Sequence, residues 1–170
     1  VTRSAEVYAR SGFPSVLETG EALQSGDVVA VSDKVCRVHV LLRESDSHHT
    51  VFLTNRCNSK CLMCSQPPTP QDDSWLVDEA FAVAAHIDNS PQVLGFTGGE
   101  PLLLGARLRE ILDAFGARHP ETEFDVLTNG RLLCNAAFAK NLLEGLPYRV
   151  TWMVPLYGHA DILHDCVVQS

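Results

Sequence analysis

From residue 51 onward, short apolar runs alternate with amphipathic stretches. Val51-Phe52-Leu53-Thr54 reads as a buried-type strand, and Pro67-Pro68-Thr69-Pro70 after it cannot be helix interior. Asp72-Asp73-Ser74 offers N-caps, and Val77, Ala80, Phe81, Ala84 and Ile87 then recur at helical spacing. A second strand, Val93–Thr97, follows Pro91. Leu104, Leu108, Ile111, Leu112 and Phe115 mark a second helix, and Phe124–Thr128 a third strand. Asn135 is placed to cap a third helix carrying Phe138 and Leu142, with Gly145 as its stop. Val150 to Leu156 reads as a fourth strand, and His159 or Asp161 opens a last helix. The order βαβαβαβ predicts an α/β fold with parallel strands and helical crossovers.

Residues 1–50 are patterned more weakly. Asp27–Val31 and Val35–Leu42 read as two strands joined by Ser32-Asp33-Lys34, and Glu44–Thr50 as a polar loop. The expected organisation is a small β-rich extension over residues 1–50 and an α/β core over 51–170. A length of 170 residues, with 45% hydrophobic and 20% charged, suits one soluble core with an appendage. The net charge of -8, without a Lys/Arg cluster, argues against a nucleic-acid partner. No apolar run approaches the ~18 residues of a membrane span, so no membrane partner is expected. Val1–Val7 lacks the apolar centre of a signal peptide. Of six cysteines, three are clustered and Cys36, Cys134 and Cys166 are scattered. That distribution suits metal ligands in a reducing cytoplasm better than disulfides, which sets the expected localisation.

Three features follow the ends of successive strands. Cys57, Cys61 and Cys64 form C-x3-C-x2-C after the first, Gly98-Gly99-Glu100-Pro101 follows the second, and Thr128-Asn129-Gly130 the third. All fall at the C-terminal edge of one sheet, where parallel α/β folds place ligands. Three soft thiolates in one loop can hold three irons of a [4Fe–4S] cluster and leave one iron without a protein ligand. The same thiolates also suit zinc, with Cys36 or His39 as a fourth ligand. Gly98 and Gly99 permit close approach of a ligand to the backbone, and the Glu100 carboxylate can accept from an ammonium group or cap the next helix. Asn129 can bind a carboxylate or amide, or simply serve the turn.

Together, in this order, these motifs resemble the radical S-adenosylmethionine (SAM) superfamily over about residues 51–165. The resemblance implies an enzyme with a partial (βα)6 TIM-like barrel, about three and a half βα units of which are present. It implies a [4Fe–4S] cluster on Cys57, Cys61 and Cys64, with SAM chelated at the open iron. Reductive cleavage of SAM would release a 5′-deoxyadenosyl radical. Gly98, Gly99 and Glu100 would contact the methionine amino group, Asn129 would lie near the methionine moiety, and Met63 would stand where an aromatic residue often packs on adenine. An electron donor such as flavodoxin or ferredoxin is implied as a partner.

A narrower resemblance rests on Cys61–Pro68, Leu94–Pro101, Leu127–Arg131 and Pro155-Leu156-Tyr157 with His164-Asp165. These segments are similar to the His-Xaa-Ser system radical SAM maturases, C type, which implies modification of a ribosomally made peptide or protein substrate. Alternatives are another peptide-modifying or enzyme-activating radical SAM protein, a zinc-binding structural module without catalysis, and a truncated, inactive remnant that still binds a cluster. Against the family pattern, Val154-Pro155-Leu156-Tyr157 lacks the polar residues that often hold the ribose. The core is expected to be truncated at its C-terminus, leaving the fourth strand as an apolar edge and the last helix with little to pack on. His159 and Asp161 read as helix-start residues, while His164 and Asp165 remain open for substrate binding or proton relay. Arg131 suits a carboxylate partner or a surface position. Trp75 and Trp152 read as packing residues.

Overall fold

The computed structural model describes residues 23–32 and 37–169. The chain divides into two units, one taking in residues to Asp46 with His86–Asn89, the other Ser47–Ala85 with Ser90–Ser170.

The smaller unit holds an antiparallel pair, β1 (Val28–Ser32) and β2 (Arg37–Leu42). Val35 and Cys36, expected in the second strand, lie outside the described residues. Asp27 fastens the base of the pair. Its carboxylate accepts from the backbone N–H of Gln24 and Glu44 at 3.0 and 3.1 Å and meets Arg43 at 3.4 Å. The Gln24 N–H contributes most to holding its carboxyl below the usual range.

The larger unit is built on a four-stranded parallel sheet: β3 (His48–Phe52), β4 (Val93–Thr97), β5 (Glu123–Leu127) and β6 (Val150–Met153), in sequence order. Helices α1 (Trp75–His86), α2 (Ala106–Arg118) and α3 (Ala136–Leu143) make the crossovers, and α4 (Asp161–Val168) follows β6. Short 3₁₀ turns at Pro101–Leu104 and Arg131–Cys134 precede α2 and α3. This is the expected α/β architecture of a partial TIM-like barrel with a β-rich N-terminal region.

Strand ends shift by one or two residues from the sequence reading at β1, β3 and β5, and two boundaries differ by more. His48-His49-Thr50, read as loop, is strand, because its backbone pairs in register with Val93-Leu94-Gly95. Polar side chains are tolerated there because the exposed and buried positions of β3 alternate. The fourth strand stops at Met153, and Val154-Pro155-Leu156 leaves the sheet, Pro155 having no N–H to donate. Asn135 does cap α3, its side chain accepting from Ala137 and Phe138 N–H at 3.1 Å. Gly145, at φ 67°, ends that helix as expected.

The core lies between β4, β5 and α2. Leu94, Phe96, Leu108, Ile111, Leu112, Phe115, Phe124 and Val126 are fully buried. Phe96 meets Phe115 and Phe124 edge-on at 5.2 and 5.7 Å, and Phe124 meets Tyr148 at 5.3 Å. Each buried Phe contributes about 1.5–3 kcal/mol, and each such ring pair about 0.5–1.5 more. Gly116 makes room on α2 for the Tyr148 ring, whose hydroxyl donates to Asp113 at 2.6 Å. The packed core fixes where the strands end, and so where the three motifs come out. No helix among the described residues is long and apolar enough to cross a membrane.

Candidate functional site

The cysteine loop leaves β3 and is fastened at once. Leu53 N–H donates to Thr97 O at 2.8 Å, Gly99 N–H to Thr54 O at 2.6 Å, and Glu100 N–H to Arg56 O at 2.8 Å. The glycines are required by this contact. A Cβ on Gly98 (φ 150°) would lie 2.5 Å from Thr54 O, and one on Gly99 would run into Arg56 O. Their close neighbour is thus the chain itself, where the sequence suggested a ligand; both still line the cavity described below.

Asp73 secures the same stretch from the other side. It is 4% exposed, accepts from Thr54 Oγ1 at 2.8 Å and Asn55 N–H at 2.5 Å, and faces the Arg56 guanidinium at 3.4 Å. Burial pushes its carboxyl up, but these three donors outweigh burial and hold it below the usual range. The sequence offered Asp73 only as a helix cap. Its backbone carbonyl does take Leu76 N–H at 3.0 Å, but its side chain belongs to the cysteine loop.

Glu100 joins the second motif to the third. It is fully buried, and its carboxylate accepts from Leu102 N–H at 2.9 Å, Thr128 Oγ1 at 2.5 Å and Asn129 N–H at 2.6 Å. Three donors within the fold thus meet the Glu100 carboxylate, and Glu100 is not among the residues that line the cavity described below. Gly98 and Gly99 are what this segment presents. Asn129 in turn reaches the cysteine loop, its Nδ2 donating to Asn58 Oδ1 at 2.7 Å and lying 3.9 Å from Cys57 Sγ. Arg131 donates to Asn58 O.

One cavity of about 780 Å³ collects these elements, within the ~300–1,000 Å³ usual for ligand sites. Cys57, Cys61 and Cys64, Gly98 and Gly99, and Asn129 and Arg131 all line it. So do Trp152, Tyr157, His164 and Asp165. Burial pushes the Cys57 thiol up, with the Glu100 and Cys61 charges adding and the Ser59 N–H opposing. Cys64 Sγ donates to Gln66 O at 3.0 Å. All three cysteines are free.

Several expected residues fall elsewhere. Met63 does not line the cavity: the Cys64 N–H to Cys61 O bond, 3.1 Å, closes a turn that leaves Leu62 and Met63 66% and 52% exposed. Trp152, read as packing, lines the cavity, and Trp75 is exposed rather than packed. His159 and Asp161 lie off the cavity wall, Asp161 taking Ile162 N–H at 2.7 Å at the start of α4. Cys134 and Cys166 are exposed and off the wall; Cys36 is outside the described residues. The last helix finds a partner the sequence did not reveal. Lys60 and Leu62 N–H donate to Val168 and Val167 O at 3.1 and 3.0 Å, so the cysteine loop occupies carbonyls that a helix end leaves open.

Three thiols lining one cavity are a donor set that suits the irons of a cuboidal cluster. Among the described residues, no three His, Cys, Asp or Glu side chains converge to hold one metal ion. Cluster thiolates each meet a different iron and need no common point.

The profile of the Radical SAM superfamily matches residues 51–151. The chain belongs to the radical SAM superfamily. Radical SAM proteins are enzymes that use a [4Fe–4S] cluster and SAM. The chain is 38% identical over 96 residues to a relative from Methanocella arvoryzae named "Probable GTP 3′,8-cyclase". That match covers 55% of this chain and 29% of the relative, so the chain spans well under two thirds of it.

Proposed function

We propose that this chain carries the cluster- and SAM-binding part of a radical SAM enzyme, with Cys57, Cys61 and Cys64 as thiolate ligands. The observation that supports this most is the convergence of all three thiols, Gly98, Gly99 and Asn129 on one cavity. When bound, the cluster and SAM supply one-electron cleavage of the sulfonium, with the electron delivered by a protein such as a flavodoxin or ferredoxin.

The chain's own residues prepare the place. Asp73 and the Gly98-Gly99 backbone hold the entrance to the cysteine loop. Glu100 holds Asn129 next to the cysteine loop, and the Asn129 amide beside Cys57 favours a sulfur carrying negative charge. The apolar side chains of Leu127, Met153, Val154 and Pro155 line part of the wall.

For the substrate, we favour a ribosomally made peptide, as in a His-Xaa-Ser system maturase, on the segments around Cys61–Pro68 and His164-Asp165. A purine nucleotide is the second reading, suggested by the name of the relative at 38% identity. Within this cavity Arg131 is the single Lys or Arg among the described residues, sparse for a triphosphate. The test is formation of 5′-deoxyadenosine from SAM under reduction, with GTP and a His-Xaa-Ser-repeat peptide supplied separately. Turnover stimulated by the peptide supports the maturase; turnover stimulated by GTP replaces it. No 5′-deoxyadenosine from a cluster-loaded chain rejects catalysis by this chain.

A further inference from the structure

On the cavity wall formed by β6 and the residues after it, Thr151, Trp152 and Tyr157 carry hydrogen-bonding groups and three residues between them do not. Met153, Val154 and Pro155 line the cavity there and offer no donor. The titratable side chains on this side of the cavity are Tyr157 and, on α4, His164 and Asp165, which line the same cavity as the cysteines.

His164 is held in a defined orientation. Tyr157 stacks on its ring, with centroids 5.9 Å apart and planes at 25°. The Tyr157 backbone N–H donates to Nδ1 at 3.3 Å. Gly158 permits this approach, since a Cβ there would lie 2.7 Å from Leu163 Cβ and 3.2 Å from His164 N. With Nδ1 accepting, the proton of the neutral ring is on Nε2, which leaves one N–H to donate. Beside it, the Asp165 carboxylate only accepts, and its side chain makes no hydrogen bond or ion pair among the described residues.

We infer that His164 and Asp165 form a recognition pair for a vicinal diol, the ribose of an adenosyl ligand. Each hydroxyl both donates and accepts. The imidazole N–H donates to one, and the carboxylate accepts from the other, as acidic residues do at ribose hydroxyls in dinucleotide sites. This inference rests on the SAM reading, which places a ribose in the cavity. An anionic ligand group is drawn instead to Arg131, which leaves this pair for a neutral one.

The test is equilibrium binding to the anaerobically reconstituted chain, with S-adenosylhomocysteine, its 2′-deoxy analogue and free methionine as probes. The wild type is expected to prefer the diol by about tenfold, the size of one hydrogen bond to a charged group. Asp165→Asn and His164→Phe should each cut that preference to about twofold and leave methionine binding unchanged. His164→Gln, which keeps an N–H donor, should retain most of it. Circular dichroism checks that the variants fold. Variants that keep the full preference, or that lose methionine binding equally, overturn the pair. A wild type that binds the probes without preferring the diol also overturns it, while leaving the SAM reading intact. A wild type that binds neither S-adenosylhomocysteine nor methionine overturns both.

Discussion

The Glu100 carboxylate accepts the backbone N–H of Asn129 at 2.6 Å, across the ends of two neighbouring strands. This bond and that from Thr128 Oγ1 at 2.5 Å tie the loop after β4 to the loop after β5. Gln at position 100 turns one acceptor into a donor, which then faces Thr128 or Asn129 donors in a fully buried place. Glu100→Gln is expected to lower stability by about 2–3 kcal/mol, the range for losing buried hydrogen bonds to a charged group. Denaturant unfolding measures this, and iron retained per chain should fall with it.

Asp73 holds the start of the cysteine loop by three contacts at 2.5–3.4 Å. Asp73→Asn keeps the shape but loses the charge. The expected loss is about 2 kcal/mol, or roughly 4–8 °C in thermal midpoint for a chain of this size. Hydrogen exchange at the Asn55 amide, whose acceptor is Asp73, should speed up more than exchange in α2. Equal acceleration of both would make Asp73 a global stabiliser only.

The bonds from Lys60 and Leu62 to the end of α4 couple the cysteine loop to that helix. Loading iron and sulfide orders the loop, so the α4 amides should slow in exchange together with those of Lys60 and Leu62. Cys61→Ala should not show the joint slowing. Protection of the loop with α4 unchanged would separate the two.

His119 sets an acid limit on the fold. It is 3% exposed, its Nδ1 lies 3.0 Å from Ser90 Oγ, and its buried Nε2 has no hydrogen-bond partner among the described residues. Burial, then the neighbouring Arg118 charge, lowers its pKa from the ordinary value of 6.5. The unfolded chain therefore binds the proton more readily. His119 stability is fully present above about pH 6.5 and is lost as pH falls from there through the lower folded value. Thermal midpoints across that window should decline, and His119→Gln should flatten the decline.

Much of this was legible in the residue pattern, for identifiable reasons. The strands and α2 are strongly periodic, so the parallel sheet and the edge bearing Cys57, Gly98 and Asn129 follow from spacing. Side chains with two possible jobs were less legible. Asp73 satisfies a helix-start pattern while its carboxylate serves a loop 18 residues away. Glu100 follows two glycines, as a ligand residue would, yet turns inward because Thr128 and Asn129 offer donors there. The docking of α4 on the loop uses backbone groups alone, which leave no trace in side-chain pattern. Met63 lies off the cavity wall because the local turn from Cys61 to Cys64, not residue type, decides its direction.

The central claim is that Cys57, Cys61 and Cys64 hold a SAM-binding [4Fe–4S] cluster. Anaerobic reconstitution with iron and sulfide, followed by metal and sulfide analysis and electron paramagnetic resonance of the reduced protein with and without SAM, tests it most directly. About four irons and four sulfides per chain, with a signal that changes on adding SAM, are expected. Zinc without sulfide, or a cluster signal indifferent to SAM, would contradict it.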